Sequence, residues 1–218
     1  DIVGSFDHDR LYDVSVGRVV EPPAVDAAVA MSAVETSAPD DAVGEVAPIP
    51  AKVMREQLGA LLPELIIAGK HRGRRIVPPA SLPLRPTLER VRQSVFDILA
   101  HGLRWAGFAD AAVLDVFAGS GAYGLEALSR GARHACFIDI DAQALKTIER
   151  NAAVMGEARS VALLRLDAAR LPAPPATAGT PAALAFLDPP YGAGLAVPAL
   201  TGLASGWLAP DALAVVEV

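Results

Sequence analysis

The sequence has little cysteine and few aromatic residues. Of its 218 residues a single one is cysteine, Cys136, and aromatic residues make up 5%. One cysteine cannot form an intramolecular disulfide, which excludes the class of small disulfide-stapled secreted domains. No basic stretch followed by an apolar stretch opens the sequence, so it shows no secretory signal. We therefore expect a reducing, cytoplasmic location.

Long apolar runs without breaks are also missing. Hydrophobic residues make up 52%, but 43 of them are alanine, which packs equally well in helices of soluble proteins. The longest uncharged run, residues 189–210, contains four prolines and four glycines. Such a run cannot form a membrane-spanning helix of about 20 residues. We expect no membrane partner.

Charge is distributed unevenly and divides the chain. Residues 1–62 hold 11 acidic and 4 basic residues, whereas residues 65–92 hold seven basic residues and one acidic residue. Residues 21–50 are rich in Ala, Pro and acids without lasting periodicity, which is typical of disorder, and a short helix is predicted at 51–62. We predict a largely disordered acidic extension at 1–62 and a domain at 63–218 that begins with a basic arm at 65–92. The arm is either a contact for a polyanion or a solvated surface.

From Leu65 onward, short apolar stretches alternate with helical patterns, as in a parallel β-α-β sheet. Thr87 is suited to cap a helix whose apolar positions recur at helical spacing. This helix places Arg90 and Arg92 off the apolar stripe, facing solvent or ligand. The pattern predicts an open, doubly wound α/β domain with strands near 65–67, 113–117, 135–138, 161–166, 183–187 and 213–218, and helices near 123–130, 141–154 and 195–205.

A glycine-rich turn follows the strand at 113–117. Gly119, Gly121 and Gly124 match the G-x-G-x-x-G pattern, and Asp139 ends the next strand, where an acid that binds ribose belongs. Such glycines serve a pyrophosphate, an adenosine-methionine conjugate or a tight crossing of helix and strand. Asp115 would repel a pyrophosphate and could hold a cationic amino group. This favours a nucleoside cofactor over the dinucleotide of an NAD-dependent oxidoreductase.

Asp188-Pro189-Pro190-Tyr191 follows the apolar strand at 183–187. A double proline can simply end a strand, but these residues also suit methylation of an exocyclic amine on a nucleobase. The Asp188 carboxylate and the Pro189 carbonyl could accept the two N–H bonds of the amine and aim its lone pair at a methyl donor. Tyr191 could stack on the base, so that catalysis rests on positioning and oriented acceptors.

Asp139 and Asp167 each end a predicted strand. Asp139 could accept hydrogen bonds from both ribose hydroxyls, and its alternative is a polar strand end. Asp167 could accept a hydrogen bond from the adenine amine, and its alternative is a helix N-cap.

The segments IIAGKHRGRR, LRPTLERVRQSVFDIL, VLDVFAGSGAYGLEALSRGA and FLDPPYGAGL together resemble the bacterial small-subunit ribosomal RNA guanine-N2-methyltransferase family over nearly all of residues 65–218. The resemblance implies a Rossmann-like methyltransferase fold, S-adenosyl-L-methionine as cofactor, and the 2-amino group of a guanine as target. It also implies a partner, the ribosomal RNA of the small subunit or of its assembly intermediate. We expect a monomer without a metal.

The resemblance and the motifs together predict three groups of site residues. Catalysis is assigned to Asp188, Pro189, Pro190 and Tyr191. Cofactor binding is assigned to Asp115, Phe117, Ala118, Gly119, Ser120, Gly121, Asp139, Ile140, Asp167 and Ala168. RNA binding is assigned to Lys70, Arg72, Arg74, Arg75, Arg85, Thr87, Arg90 and Arg92.

Two expectations concern departures from the family. Residues 1–62 are additional, and family members continue through a closing antiparallel hairpin, so we expect a fragment whose sheet lacks that C-terminal hairpin. Two alternatives to the implied function remain. One is a DNA adenine-N6 methyltransferase, since the tetrad handles either amine, although no target-recognition insert follows Tyr191. The other is an RNA-binding assembly factor with impaired catalysis.

Overall fold

Strands and helices alternate along most of the chain that the computed structural model describes, which is residues 11–13, 18–20, 64–80, 88–101 and 105–217. The strands are β1 (Leu11–Asp13), β2 (Arg18–Val20), β3 (Glu64–Leu65), β4 (Arg75–Ile76), β5 (Ala112–Val116), β6 (His134–Asp139), β7 (Val161–Arg165), β8 (Ala182–Leu187) and β9 (Leu208–Val216). The helices are α1 (Leu88–His101), α2 (Ala122–Ser129), α3 (Ala142–Met155) and α4 (Ala196–Leu203). The predicted helix at 51–62 and the predicted RNA-binding residues Arg85 and Thr87 lie outside the described residues.

A seven-stranded sheet has the order β2-β1-β9-β8-β5-β6-β7. Strands β5 to β9 are all parallel. The chain runs from β5 outward through β6 to β7, then returns to β8 on the other side of β5. The order therefore reverses between β5 and β8, and ligands of open α/β sheets bind at the carboxyl ends of the strands at such a point. This confirms the predicted doubly wound, mostly parallel fold.

Two apolar layers cover the two faces of the sheet. On one face, Val113, Phe137 and Phe186 pack against residues of α1, α2 and α3. On the other face, side chains of the alternate strand positions pack against α4 and the fully buried Trp207. Successive strand residues point to opposite faces and both faces are covered, so all five residues of β5 are buried and all but Asp115 are apolar. This explains why the central strands read as continuous apolar runs.

Strands β3 and β4 form a short antiparallel hairpin that we call the arm hairpin (residues 64–77). Its Ile66 and Ile76 are buried in the main core. The predicted strand at 65–67 ends early because the N–H groups of Ile67 and Ala68 donate to the carboxylate of Glu126 on α2, at 2.7 and 3.0 Å. The basic arm therefore packs on the domain rather than projecting from it.

Helix α3 also contacts the arm hairpin. The side-chain amide of Asn151 pairs with both backbone groups of Val77, at 3.1 and 2.9 Å. Glu157, just beyond α3, lies 2.6 Å from the Lys70 ammonium and 2.7 Å from His71 Nε2. Burial raises the pKa of Glu157, but hydrogen bonds with Lys70, His71 and Ser160 outweigh this and hold the pKa below its usual range. The arm hairpin is thus fixed at several points.

Two strands, β1 and β2, lie within the extension at 1–62 that was predicted to be largely disordered. Strand β1 pairs antiparallel with β9, and β2 pairs antiparallel with β1. The sheet therefore continues beyond β9 with an antiparallel pair formed by residues 11–13 and 18–20. An uncovered edge presents unpaired backbone N–H and C=O groups, and β1 pairs with β9 along residues 213–215. Within the described residues, no helix is long and apolar enough to cross a membrane.

Candidate active site

A cavity of about 580 Å³ opens where β5, β6 and β8 end. This volume is within the usual range of small-molecule sites, about 300–1,000 Å³. Thirteen predicted residues line it: Asp115, Phe117, Ala118, Gly119, Ser120, Asp139, Ile140, Asp167, Ala168, Asp188, Pro189, Pro190 and Tyr191. Both predicted groups, cofactor-binding and catalytic, therefore meet in one cavity. Gly121 is buried and does not line the cavity.

The glycine turn after β5 depends on the absence of side chains at two positions. Gly121 has φ +77°, a left-handed conformation that favours glycine. Gly124 has no room for a Cβ, because that atom would lie 2.4 Å from the ring of Phe137. The turn therefore lets α2 begin beside the cavity and pack closely on the sheet.

Asp115 lies at the buried base of the cavity and is 3% exposed. Its Oδ2 accepts a hydrogen bond from the Gly124 N–H at 2.8 Å, which ties β5 to the start of α2. Burial raises the pKa of this carboxyl well above its usual range. The hydrogen bond from Gly124 opposes that rise, whereas the negative charges of Asp188 and Asp139 add to it. A cation nearby would favour the ionised form.

Asp139 ends β6 and holds the glycine turn in place. One carboxylate oxygen accepts from the Gly119 N–H at 2.9 Å, and the other accepts from the Asp141 N–H at 2.8 Å. Each carboxylate oxygen has a further lone pair, so these two bonds leave acceptor capacity for hydroxyl groups. The side chain is thus oriented before any ligand binds, as the predicted ribose contact requires.

Asp167 follows β7, and its position allows both predicted roles, that of a helix N-cap and that of a cofactor contact. Its Oδ1 accepts from the Ala169 N–H at 3.0 Å, so it caps the short helical turn at Ala168–Arg170. It also lines the cavity. Apolar side chains beside it, from Ile140 and Leu166, supply a surface suited to a flat ring.

Asp188, Pro189, Pro190 and Tyr191 follow directly after β8, next to β5. The Asp188 N–H donates to the Val116 carbonyl at 3.4 Å, which keeps the start of this segment against the glycine turn. Tyr191 is 77% exposed. An exposed ring at the rim of a cavity is available for stacking on an incoming base.

Four further polar residues line the cavity that were not predicted as cofactor-binding or catalytic: Glu64, Arg92, Tyr123 and Glu217. Tyr123 stacks on Phe186 with ring centroids 4.9 Å apart. Burial raises the pKa of its hydroxyl, and the charge of Glu217 adds to this, so the phenol keeps its proton. Tyr123 sits inside the glycine motif, where the sequence offered a signal. Glu64 and Glu217 belong to neither the glycine turn nor the tetrad after β8, so neither motif could indicate them.

The lining of the cavity is strongly acidic. Its described lining holds six carboxylic acids, Glu64, Asp115, Asp139, Asp167, Asp188 and Glu217, and a single guanidinium, that of Arg92. A pyrophosphate would be repelled by such a lining, whereas a ligand with a net positive charge would be attracted.

The predicted RNA-binding residues fall into different environments. Arg72, Arg75 and Arg90 are exposed. Lys70 and Arg74 are also exposed but make internal contacts, Lys70 with Glu157 and Arg74 Nη1 with the Val154 carbonyl at 2.9 Å. These placements are compatible with RNA contacts and leave the assignment a prediction.

Arg92 was predicted to face solvent or ligand and to bind RNA; it lines the cavity, but it is covered from solvent and so is not placed for a contact with RNA phosphate. Arg92 is 1% exposed, and its Nη1 donates to Glu64 while its Nη2 donates to the Leu65 carbonyl, both at 2.6 Å. The helical pattern of α1 put Arg92 off the apolar stripe, but Arg92 lies on the same face of the helix as the buried Phe96 and Leu99, four and seven positions later. The pattern could not show that the arm hairpin covers this part of the helix and offers the guanidinium two acceptors, the Glu64 carboxylate and the Leu65 carbonyl.

Comparison with known proteins follows the same division of the chain. A family model described as conserved hypothetical protein 95 matches residues 65–218. Ribosomal RNA small subunit methyltransferase D of Escherichia coli (strain K12) is 41% identical over 155 residues, covering 70% of this chain and 73% of that protein. The Haemophilus influenzae protein of the same name is 34% identical over 157 residues, covering 70% and 77%.

The chain belongs to the family that this model describes, which includes the ribosomal RNA small subunit methyltransferases D. The resemblance stated from the sequence is therefore confirmed, and the chain is a methyltransferase by family.

Solved structures agree with the fold. The Escherichia coli protein yhhF has a TM-score of 0.59 and 37% identity, covering 71% of this chain and 81% of that one. A hypothetical protein from Thermus thermophilus has a TM-score of 0.52 and 31% identity, covering 70% and 84%. The predicted Rossmann-like methyltransferase fold is confirmed.

Proposed function

We propose that the protein transfers a methyl group from S-adenosyl-L-methionine to the 2-amino group of a guanine in small-subunit ribosomal RNA. The observation that carries the proposal is the meeting of two segments in one cavity. The glycine turn, held by Asp139, and the segment from Asp188 to Tyr191 end neighbouring strands and line the same space. A cofactor and a target amine bound there would be adjacent.

The described residues fit this cofactor on three grounds. The acidic lining suits a molecule that carries a sulfonium and an ammonium group against one carboxylate. Asp115 would hold the amino group, and the pre-oriented Asp139 would accept from the ribose hydroxyls. Asp167, with Ile140 and Ala168 beside it, would hold the adenine.

The cofactor supplies an electrophilic methyl group when it is bound. The contribution of this chain is to prepare the amine. Asp188 and the Pro189 carbonyl would each accept one N–H bond of the target amine, which favours a pyramidal nitrogen with its lone pair exposed. Pro189 and Pro190 restrict the backbone that carries this carbonyl. The proton that the nitrogen loses would pass to the Asp188 carboxylate or to water.

Ribosomal RNA as the substrate is supported by the family relatives, which are named as small-subunit ribosomal RNA methyltransferases. The exposed Arg72, Arg75 and Arg90 add a basic surface for its phosphates. A guanine amine takes part in pairing, so the target has to be a loop base that can leave its stack. We place this activity in the cytoplasm, with the small subunit or its assembly intermediate as partner.

The proposal is tested by incubating the full chain with labelled S-adenosylmethionine and one of three substrates: small-subunit particles, large-subunit particles or duplex DNA. We expect label in the RNA of small-subunit particles alone. Label in DNA would favour the adenine-N6 alternative. Binding to small-subunit particles without transfer would favour an impaired assembly factor and contradict the proposal.

A further inference from the structure

An ion pair between the arm hairpin and α1 forms part of the cavity wall. Arg92 Nη1 and Glu64 Oε1 are 2.6 Å apart, and the Arg92 side chain is 2% exposed against 16% for Glu64. Arg92 Nη2 also donates to the Leu65 carbonyl at 2.6 Å. Arg92 Nε is buried and has no hydrogen-bond partner among the described residues. Both side chains line the cavity together with Asp188.

A contribution to the stability of the fold explains this ion pair only weakly. The cost of removing two charges from water is comparable to their attraction, so a buried pair is often no more stabilising than apolar residues of the same size. Glu64 also adds a carboxylate to a cavity that already holds five others. The partial exposure of Glu64 leaves its carboxylate within reach of a ligand in the cavity, whereas Arg92 is covered.

The Watson–Crick edge of guanine fits a second carboxylate beside Asp188. In guanine the 2-amino group is next to N1–H, so two donors lie side by side. In adenine the 6-amino group is next to N1, which is an acceptor. Enzymes that act on a flipped base read this edge through hydrogen bonds. An acceptor placed next to the one that receives the amine therefore selects guanine and rejects adenine.

We infer that the Glu64 carboxylate, held by Arg92, accepts the N1–H of the target guanine while Asp188 receives the neighbouring 2-amino group. The inference rests on the proposed function and names the residue that selects the base. Glu64 is a specificity-determining residue that touches the substrate. Arg92 is a positioning residue, because it acts through Glu64.

The same geometry predicts the effect of one substitution. In Glu64→Gln, the amide oxygen has to face Arg92, because the guanidinium is only a donor. The amide NH₂ then points toward the base, where it opposes a guanine N1–H but fits an acceptor at N1. The preference of the site should therefore change in favour of a base with an acceptor at N1.

The probe is a pair of synthetic RNA hairpins with the target loop, located first by mapping the methylated position on small-subunit particles. One hairpin carries guanine and the other 2-aminopurine, which keeps the 2-amino group but has an acceptor at N1. Methyl transfer and hairpin affinity are both measured with the full chain. The wild-type protein should prefer guanine by roughly tenfold or more, since an unmatched buried polar group opposes binding. Glu64→Gln should lower this ratio by roughly tenfold.

Two further variants separate base selection from folding. Glu157→Gln removes a carboxylate that pairs with the arm hairpin away from the cavity, and it should leave the ratio of guanine to 2-aminopurine unchanged. Arg92→Lys keeps the positive charge but cannot donate to both Glu64 and Leu65 in the same planar geometry. It should lower the ratio less than Glu64→Gln does.

The outcomes distinguish the inference from the function on which it rests. Equal use of both hairpins by the wild-type protein, or an unchanged ratio in Glu64→Gln, would overturn the inference alone. Absence of methyl transfer to any RNA, small-subunit particles included, would overturn the proposed function as well.

Discussion

The cavity and the arm hairpin are neighbours with opposite charge. Six carboxylic acids and one guanidinium line the described cavity. The arm hairpin carries Lys70, Arg72, Arg74 and Arg75 against Glu64 alone. The acidic surface thus suits the proposed cationic methyl donor, and the basic surface suits the proposed RNA. Each surface disfavours the ligand of the other, which keeps phosphates out of the cofactor cavity.

The two regions also differ in how they use their charged residues. Asp115 and Asp139 accept backbone N–H groups, so the acids of the cavity also order the turn that forms it. In the arm hairpin, Lys70 makes an internal contact, whereas Arg72 and Arg75 point to the surface. The local charge of a sequence segment therefore overstates what a partner can reach.

The largest effect is expected in the cavity at Asp188. Asp188→Ala removes an oriented acceptor for the target amine, so turnover should fall by roughly 100-fold or more. Cofactor affinity should change only a few-fold, because the cofactor contacts are assigned to other residues. Single-turnover transfer and calorimetric titration measure the two quantities. Asp211→Ala, which removes an exposed acid of β9, serves as control, and a near-normal rate in Asp188→Ala would remove Asp188 from the mechanism.

A smaller effect is expected at Asp139. Asp139→Ala should lower the affinity for S-adenosylhomocysteine by roughly tenfold or more, because it loses ribose contacts and leaves the Gly119 N–H without its acceptor. Calorimetric titration measures this loss. Asp97→Ala, which removes an exposed acid of α1, should bind normally. Unchanged affinity in Asp139→Ala would separate this residue from the cofactor.

The basic surface should respond to salt, unlike the cavity. Replacing Arg72 and Arg75 together by Ala removes two exposed charges, and each phosphate contact on a single strand contributes about −0.7 to the slope of log affinity against log salt. We expect the slope for RNA to become shallower by about 1.4, with unchanged cofactor binding.

The matched control for this pair is Arg133→Ala with Arg159→Ala. Both residues are exposed and precede β6 and β7. They therefore lie at the amino ends of the parallel strands, whereas the cavity lies at the carboxyl ends. Titrations of RNA at several salt concentrations should give the wild-type slope for this control. If the two double variants behave alike, net charge rather than the arm hairpin determines RNA binding.

The smallest effect concerns stability and sharpens the account of the cavity. The pKa of Asp115 is raised in the folded state, so without ligand its contribution to folding is most favourable below its ordinary pKa and is lost as the pH rises through the raised value. Asp115→Asn cannot ionise but can still accept from Gly124. Its free energy of unfolding near pH 7 should exceed that of the wild type, with less decline between acidic and neutral pH. Urea unfolding at several pH values measures this, and a lower stability of Asp115→Asn throughout would contradict it.

Sequence patterns predicted the core of the fold because its central strands are covered on both faces. The apolar runs at 113–117, 135–138 and 183–187 correspond to β5, β6 and β8 within two residues at each end. Asp141 and Gly156 mark the ends of α3, and Asp141 caps it through the Gln143 N–H. The position of β9 was less well predicted, since it begins at Leu208 and includes Pro210. Strand β1 was missed because its partner strand is about 200 residues away.

The lining residues of the cavity that belong to local motifs were predicted from the sequence. Those that segments distant in the sequence bring together were not. The glycine turn and the tetrad after β8 are continuous in sequence, so their residues could be named. Glu64 and Arg92 are 28 positions apart, and only the folded arm hairpin brings them together. Local periodicity describes one helix face but not what covers it.

The most direct test of the central claim is the identity of the methylated nucleoside. RNA from small-subunit particles treated with the full chain and labelled S-adenosylmethionine is digested to nucleosides and analysed by mass spectrometry. The account predicts labelled N2-methylguanosine with the wild-type protein and roughly 100-fold less, or none, with Asp188→Ala. Labelled N6-methyladenosine, or no labelled nucleoside with the wild-type protein, would contradict it.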